Sequence, residues 1–211
     1  MYAGKYAVER ASVPAFIMAG SGESVSYAEF DRRTNRLAHL LRSQGLKRLD
    51  HYAIFMENNS RYLECCGAGE RSGLYYTCVN SYLTPDELAY ILNNSESQVL
   101  VTSREKRDVA AQALKQCPKV KLCLVVGGGD EDRDGLFAGF EGAVGRFPAT
   151  PIADESLGTP MLYSSGTTGR PKGILRPLPE NPPSKPLPLF EFLHKLWRYR
   201  EGMIYLSPAP L

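Results

Sequence analysis

Short, almost uninterrupted apolar runs alternate along this chain with longer amphipathic stretches that carry helix caps. The runs are residues 52–56 (Tyr52-Ala53-Ile54-Phe55-Met56), 75–79, 98–102 and 120–126. A strand with one face in water alternates apolar and polar residues, whereas one that is apolar at every position needs cover on both faces. The covers lie between the runs. Ser26 followed by Glu29 is a capping box, and Tyr27, Phe30, Thr34, Leu37 and Leu41 then repeat at helical spacing, with Arg32, Arg33, Arg36 and Arg42 mostly opposite and Gly45 as the stop. Asn58-Asn59-Ser60 opens a second helix that runs to about Ser72 and is stopped by Gly73. Thr84-Pro85-Asp86-Glu87 is another capping box, with proline at the first helical position, and a fourth helix is expected over 104–116 ahead of Pro118. The alternation predicts an α/β fold with a mostly parallel sheet covered on both faces. A further strand is expected at 15–18, and after Val126 the pattern weakens.

Composition narrows the function classes. The 211 residues carry 25 Lys+Arg against 23 Asp+Glu, a net charge of +2, so the basic stripe of a nucleic-acid binder is missing. Hydrophobic residues at 43% and charged residues at 23% are globular values, which argues against disorder. No apolar run approaches the roughly 18 residues of a membrane span, and Met1-Tyr2-Ala3-Gly4-Lys5-Tyr6 does not open a signal peptide. The five cysteines are odd in number, Cys65 and Cys66 are adjacent, and no CxxC pair occurs; His39, His51 and His194 are scattered. Neither a disulfide scaffold nor a structural zinc site is expected, and the reading is of a reduced, soluble, cytoplasmic protein. The Gly127–Gly135 stretch reads as a solvated acidic loop, since it has neither the dinucleotide GxGxxG order nor the EF-hand pattern. Residues 177–188 are proline-rich and read as a surface excursion.

The chemistry is concentrated in one segment. Pro160-Met161-Leu162-Tyr163 reads as a strand running directly into Ser164-Ser165-Gly166-Thr167-Thr168-Gly169-Arg170-Pro171-Lys172-Gly173. Glycines allow the backbone to approach a ligand closely, and successive N–H groups can then form a concave anion nest. Ser164, Ser165, Thr167 and Thr168 add short hydroxyls, and Lys172 adds a positive charge, with no acidic residue among them. A flexible Gly/Ser/Thr linker is the competing reading; the fixed order directly after an apolar strand disfavours it. The segment is not a Walker A loop, because Pro171 precedes the lysine and Gly173 follows it.

Residues 163–173 closely resemble the phosphate-binding signature of adenylate-forming enzymes, which include acyl-CoA synthetases, luciferases and peptide-synthetase adenylation domains. The likeness extends along the chain, through Ser26-Tyr27-Ala28-Glu29-Phe30, Asn35-Arg36-Leu37-Ala38, Arg71-Ser72-Gly73-Leu74-Tyr75-Tyr76-Thr77, Val79-Asn80 and Gln98-Val99-Leu100-Val101-Thr102-Ser103. The wording, including Tyr205-Leu206-Ser207-Pro208-Ala209-Pro210-Leu211, is most similar to bacterial fatty-acyl-CoA synthetases. The resemblance implies an ATP-dependent ligase that converts a carboxylic acid, of fatty type, to acyl-AMP and then to an acyl-CoA thioester. It also implies that Ser164, Ser165, Gly166, Thr167, Thr168 and Gly169 cradle the β- and γ-phosphates, with Lys172 as the charge-balancing catalytic residue. Magnesium is implied as the phosphate partner, with the Ser164 hydroxyl as a metal ligand, and coenzyme A as co-substrate. Ser164 stands where the family usually has threonine.

Residues 1–211 are therefore expected to be the N-terminal part of an AMP-binding (adenylation) domain, truncated before the segments for adenine, ribose and substrate, with 177–188 an excursion within it. Alone, such a fragment is expected not to make acyl-CoA. Two other readings stay open: a non-catalytic remnant acting as a nucleotide-binding or interaction module, and an adenylation domain that loads a carrier protein. Tyr75-Tyr76 reads as core rather than as a base-stacking pair. His194, in the amphipathic stretch 190–197, reads as a surface or packing residue. The apolar side of that stretch is expected to face the remainder of the enzyme, with peripheral membrane contact as the alternative.

Overall fold

In the computed structural model, which describes residues 2–129, 135–164, 170–185, 187–200 and 202–207, strand β3 (His51–Phe55) explains why its run is apolar throughout. Tyr52 and Ile54 enter one buried cluster, and Ala53 and Phe55 enter another on the opposite face. The same division runs through β5 (Val99–Ser103), where Val99 and Val101 join the first cluster and Leu100 the second. Successive side chains of a strand point to opposite faces, so only a sheet covered on both sides accepts this sequence. With β4 (Tyr75–Cys78), β6 (Leu122–Val126), β7 (Phe137–Gly139) and β8 (Thr159–Pro160), these strands form a six-stranded sheet in the order β7-β6-β5-β3-β4-β8. Each neighbouring pair is parallel.

One face is covered by α2 (Tyr27–Ser43), α3 (Ser60–Arg71) and α6 (Phe140–Val144), which supply Leu37, Leu41, Tyr62, Cys65 and Phe140 to the first cluster. The other is covered by α4 (Pro85–Asn94) and α5 (Arg107–Leu114), through Leu88, Ile91, Leu92, Ala110 and Ala113. The expected caps form. The Ser26 hydroxyl accepts from Glu29 N–H at 3.2 Å, although the Glu29 carboxylate turns to Arg33 instead of closing the box. Asn59 caps α3 through Arg61 N–H at 2.9 Å. At α4 the Glu87 carboxylate accepts from Thr84 N–H at 2.8 Å, which holds that carboxyl below the usual range. Gly45 and Gly73 end α2 and α3 with φ of +83° and +65°, the left-handed conformation that favours glycine at helix ends.

The structure departs from the sequence reading in four places. The helix expected over 104–116 is α5 (Arg107–Leu114), shorter at its start, where Lys106 N–H bonds back to the Ser103 hydroxyl in a preceding turn, and at its end, where Gln116 and Cys117 N–H bond to carbonyls only three residues back. The strand at 15–18 is β1 (Pro14–Ile17), which follows the short helix α1 (Gly4–Glu9), pairs antiparallel with β2 (Ser24–Ser26) outside the main sheet and packs on α2 through Phe16 against Phe30, ring centroids 5.6 Å apart. Strand β7 and helix α6 were not legible: three residues, two of them Ala and Gly, carry no period. The run at 160–163 is divided between two sheets. Thr159 and Pro160 complete the parallel sheet beside β4, and the chain then leaves it as β9 (Leu162–Ser164).

Tyr75 and Tyr76 are both buried, as read. Tyr76 donates to Glu70 Oε1 at 3.1 Å, and Tyr75 donates to the Arg176 carbonyl at 2.6 Å. β8 sits close against the end of α3. Gly158 N–H donates to the Glu70 carbonyl at 2.8 Å, and a Cβ at Gly158 would stand 2.0 Å from the Gly69 carbonyl oxygen, so glycine permits this approach. The proline-rich segment lies along the same edge: Leu178 is buried with Tyr75, Leu157 and Met161, and Leu157 N–H donates to the Asn181 carbonyl at 2.8 Å.

Candidate phosphate-binding site

Strand β9 pairs antiparallel with β10 (Lys172–Ile174), in the register Ser164 to Lys172, Tyr163 to Gly173 and Leu162 to Ile174. Ser164 and Lys172, eight positions apart in sequence, therefore stand opposite each other where the two strands border residues 165–169. Both are exposed, so a hydroxyl and an ammonium are presented to solvent from one end of a hairpin. Ser165, Gly166, Thr167, Thr168 and Gly169 lie outside the described residues. Gly173 has a packing reason to be glycine: a Cβ there would meet Met161 Cε at 2.5 Å and the Tyr163 ring at 3.2 Å.

Helix α4 holds the hairpin from below. The Tyr163 hydroxyl donates to Asn94 Oδ1 at 2.7 Å, anchoring β9. Burial pushes the Tyr163 phenol up to about 12, so it remains a donor at neutral pH. The Tyr90 hydroxyl donates to the Pro171 carbonyl at 3.0 Å, anchoring the start of β10, and the Arg170 guanidinium lies 5.3 Å from the Tyr90 ring centroid. Sequence reasoning missed Tyr90 and Asn94. Each is an ordinary helix residue, and the Tyr90 contact spans 81 positions, which no local pattern reports. Tyr90→Phe should remove one partly buried hydrogen bond, about 0.5–1.5 kcal/mol. Hydrogen exchange at the amides of residues 172–174 should accelerate while the six-stranded sheet keeps its protection; unchanged exchange in β10 would show that α4 does not hold the hairpin.

Among the described residues no cluster of three His, Cys, Asp or Glu forms a metal site. Magnesium needs no such cluster, since it keeps several waters and takes substrate phosphate oxygens with one or two protein ligands. One exposed hydroxyl, that of Ser164, fits this donor set. Two cavities elsewhere, about 470 Å³ beside Gly139 and Arg146 and about 360 Å³ beside Cys78, do not touch the hairpin. His194 is exposed on α7 (Pro188–Leu196), its ring 6.3 Å from that of Tyr199. Leu189, Phe192 and Leu196 of α7 are also exposed, with Trp197 just beyond.

Residues 5–211 match the family model for AMP-binding enzyme. The chain belongs to the AMP-binding enzyme family. It is 32% identical over 162 residues to the 3-oxocholest-4-en-26-oate-CoA ligase of Rhodococcus rhodochrous, covering 75% of this chain and 29% of that one. It is 29% identical, over the same shares of each chain, to a medium/long-chain-fatty-acid-CoA/3-oxocholest-4-en-26-oate-CoA ligase of Mycolicibacterium smegmatis. The chain thus spans under a third of the length of these relatives. The crystal structure of the anthranilate CoA ligase AuaEII in complex with anthranoyl-AMP superimposes with a TM-score of 0.72 at 21% identity, covering 82% of this chain and 33% of that one. This AMP-binding chain therefore has the fold of the N-terminal part of such ligases. No helix among its described residues is long and apolar enough to cross a membrane.

Proposed function

We propose that this chain supplies the ATP-phosphate-binding hairpin of an acyl-CoA synthetase acting on a fatty or related carboxylic acid. The observation that carries the reading is the register of Ser164 opposite Lys172 across the base of a glycine-rich loop, in a chain of the AMP-binding family. The relatives named as CoA ligases for fatty and sterol-derived acids support the substrate class.

The residues divide the work as their chemistry dictates. The Lys172 ammonium offsets negative charge on the β- and γ-phosphates, and as pyrophosphate departs it meets the charge that grows there. Ser164 offers its hydroxyl to a phosphate oxygen or to the magnesium accompanying it, and the 165–169 segment contributes N–H and hydroxyl donors. Magnesium, when bound, draws charge from the phosphate oxygens. Groups fixed before the reaction contribute more than groups that must reorganise during it. Tyr90 and Asn94 hold the hairpin in place. The substrate carboxylate then attacks the α-phosphorus, forming the acyl-O–P bond as the bond to pyrophosphate breaks. In the second step the coenzyme A thiol attacks the acyl carbonyl and AMP leaves.

The row Leu189, Phe192, Leu196 and Trp197 supports a further part of the reading, that α7 packs against the remainder of the enzyme, since apolar patches of this kind mark contact surfaces. Hydroxylamine traps acyl-adenylates as hydroxamates, which provides the test. The complete protein with ATP, magnesium and a medium-chain fatty acid should form hydroxamate, and with coenzyme A in place of hydroxylamine it should form acyl-CoA and AMP. Failure to form hydroxamate with any carboxylic acid would remove the assignment.

A further inference from the structure

Cys78 closes β4, and the sulfur of Cys66 on α3 lies 3.9 Å from its own. We propose that Cys66 and Cys78 form a peroxide-responsive dithiol, with Cys78 the attacking sulfur and Cys66 the resolving one. This site is separate from the phosphate hairpin and does not depend on the function assigned to it.

Access distinguishes the pair from the other thiols. Cys78 is exposed and Cys66 half-buried, whereas Cys65, Cys117 and Cys123 are buried. Cys78 lines a cavity of about 360 Å³ at the carboxyl ends of β3 and β4, together with Met56, Asn58, Asn80 and Tyr82. A small oxidant entering that cavity meets Cys78 first. The hydrogen bonding also distinguishes the two sulfurs. The Cys66 sulfur and the hydroxyl of Tyr62 both face Cys78 and pull its thiol below the usual cysteine range against the effect of burial, Cys66 contributing most. The same contact, together with burial, pushes Cys66 up, so it keeps its proton. A thiolate that is accessible and hydrogen-bonded is the reactive form of cysteine, and a second thiol within reach can resolve the sulfenic acid once it gives up its proton as it attacks.

The chemistry balances with hydrogen peroxide as the oxidant. The Cys78 thiolate attacks one peroxide oxygen, the O–O bond breaks, and hydroxide leaves; Cys78 becomes a sulfenic acid. The Cys66 sulfur then attacks the Cys78 sulfur, the S–O bond breaks, and the oxygen departs as water with the proton from Cys66. The two sulfurs lose two electrons in all, and peroxide is reduced to water. Forming the disulfide closes the 3.9 Å gap between the sulfurs to roughly 2 Å.

Peptide mapping decides the matter. Trypsin cuts after Arg61 and Arg71, so Cys66 and Cys78 fall in different peptides, and fragmentation between Cys65 and Cys66, which share one peptide, assigns the bond. After brief exposure of the complete protein to hydrogen peroxide, alkylation of the remaining thiols and digestion, the main oxidised species should be those two peptides joined through Cys66 and Cys78. A dithiol reductant should separate them. In Cys66→Ser the same treatment should instead leave Cys78 as a sulfenic acid that dimedone captures. Absence of the cross-link in the wild-type map, or oxidation spread evenly over the buried cysteines, would overturn the proposal, and the wild-type map decides this even if the variant does not fold.

Discussion

Arg71→Met should destabilise the protein by about 3 kcal/mol, the low end of the cost of removing one partner from a buried ion pair. Arg71 is 1% exposed at the end of α3. Its guanidinium donates to Asp31 Oδ1 at 2.6 Å and to the Asp31 carbonyl at 3.1 Å, joining α3 to α2. It also pairs with Glu155 Oε1 at 3.1 Å and lies 5.4 Å from the Tyr2 ring centroid. Tyr2 in turn donates to Glu155 Oε2 at 3.1 Å. Burial already pushes the Glu155 carboxyl up against the pull of Arg71. Methionine fills much of the volume but leaves two carboxylates without their cation. Each is only 17% exposed, so water restores part of the loss and no more. For a chain of this size the melting temperature should fall by roughly 6–12 °C. A urea titration reads the change directly, and a shift under 1 kcal/mol would mean that the network behaves as a surface pair.

Much of this organisation was legible in the chain. The uninterrupted apolar runs foretold strands covered on both faces, and Tyr52, Ala53, Ile54 and Phe55 divide between the two faces accordingly. Caps were legible because they are local: Ser26, Asn59 and Glu87 reach only two or three residues along the chain. What escaped depends on distance. Nothing near Arg71 in the sequence reveals that Asp31 and Glu155, 40 and more positions away, would bury it. The split of 160–163 between β8 and β9 is decided by which partner strand each half meets. In the site, the order of residues 164–173 pointed to phosphate, but the opposition of Ser164 and Lys172 and the anchoring by Tyr90 and Asn94 required the fold.

Lys172→Ala carries the largest expected effect on activity. Lys172 is exposed at the first position of β10, so its truncation leaves the core intact and any loss belongs to the ligand. A charge-assisted contact to phosphate contributes roughly 1.5–3 kcal/mol, equivalent to about a 10- to 150-fold fall in rate. Lys172→Arg keeps the charge with a different reach and should lose less. The measurement is ATP–pyrophosphate exchange by the complete protein with magnesium and a medium-chain fatty acid, comparing wild type with Lys172→Ala. The phosphate-hairpin account predicts acid-dependent exchange in the wild type and a fall of at least tenfold in the variant, with melting unchanged. Equal exchange by a folded Lys172→Ala protein would contradict it.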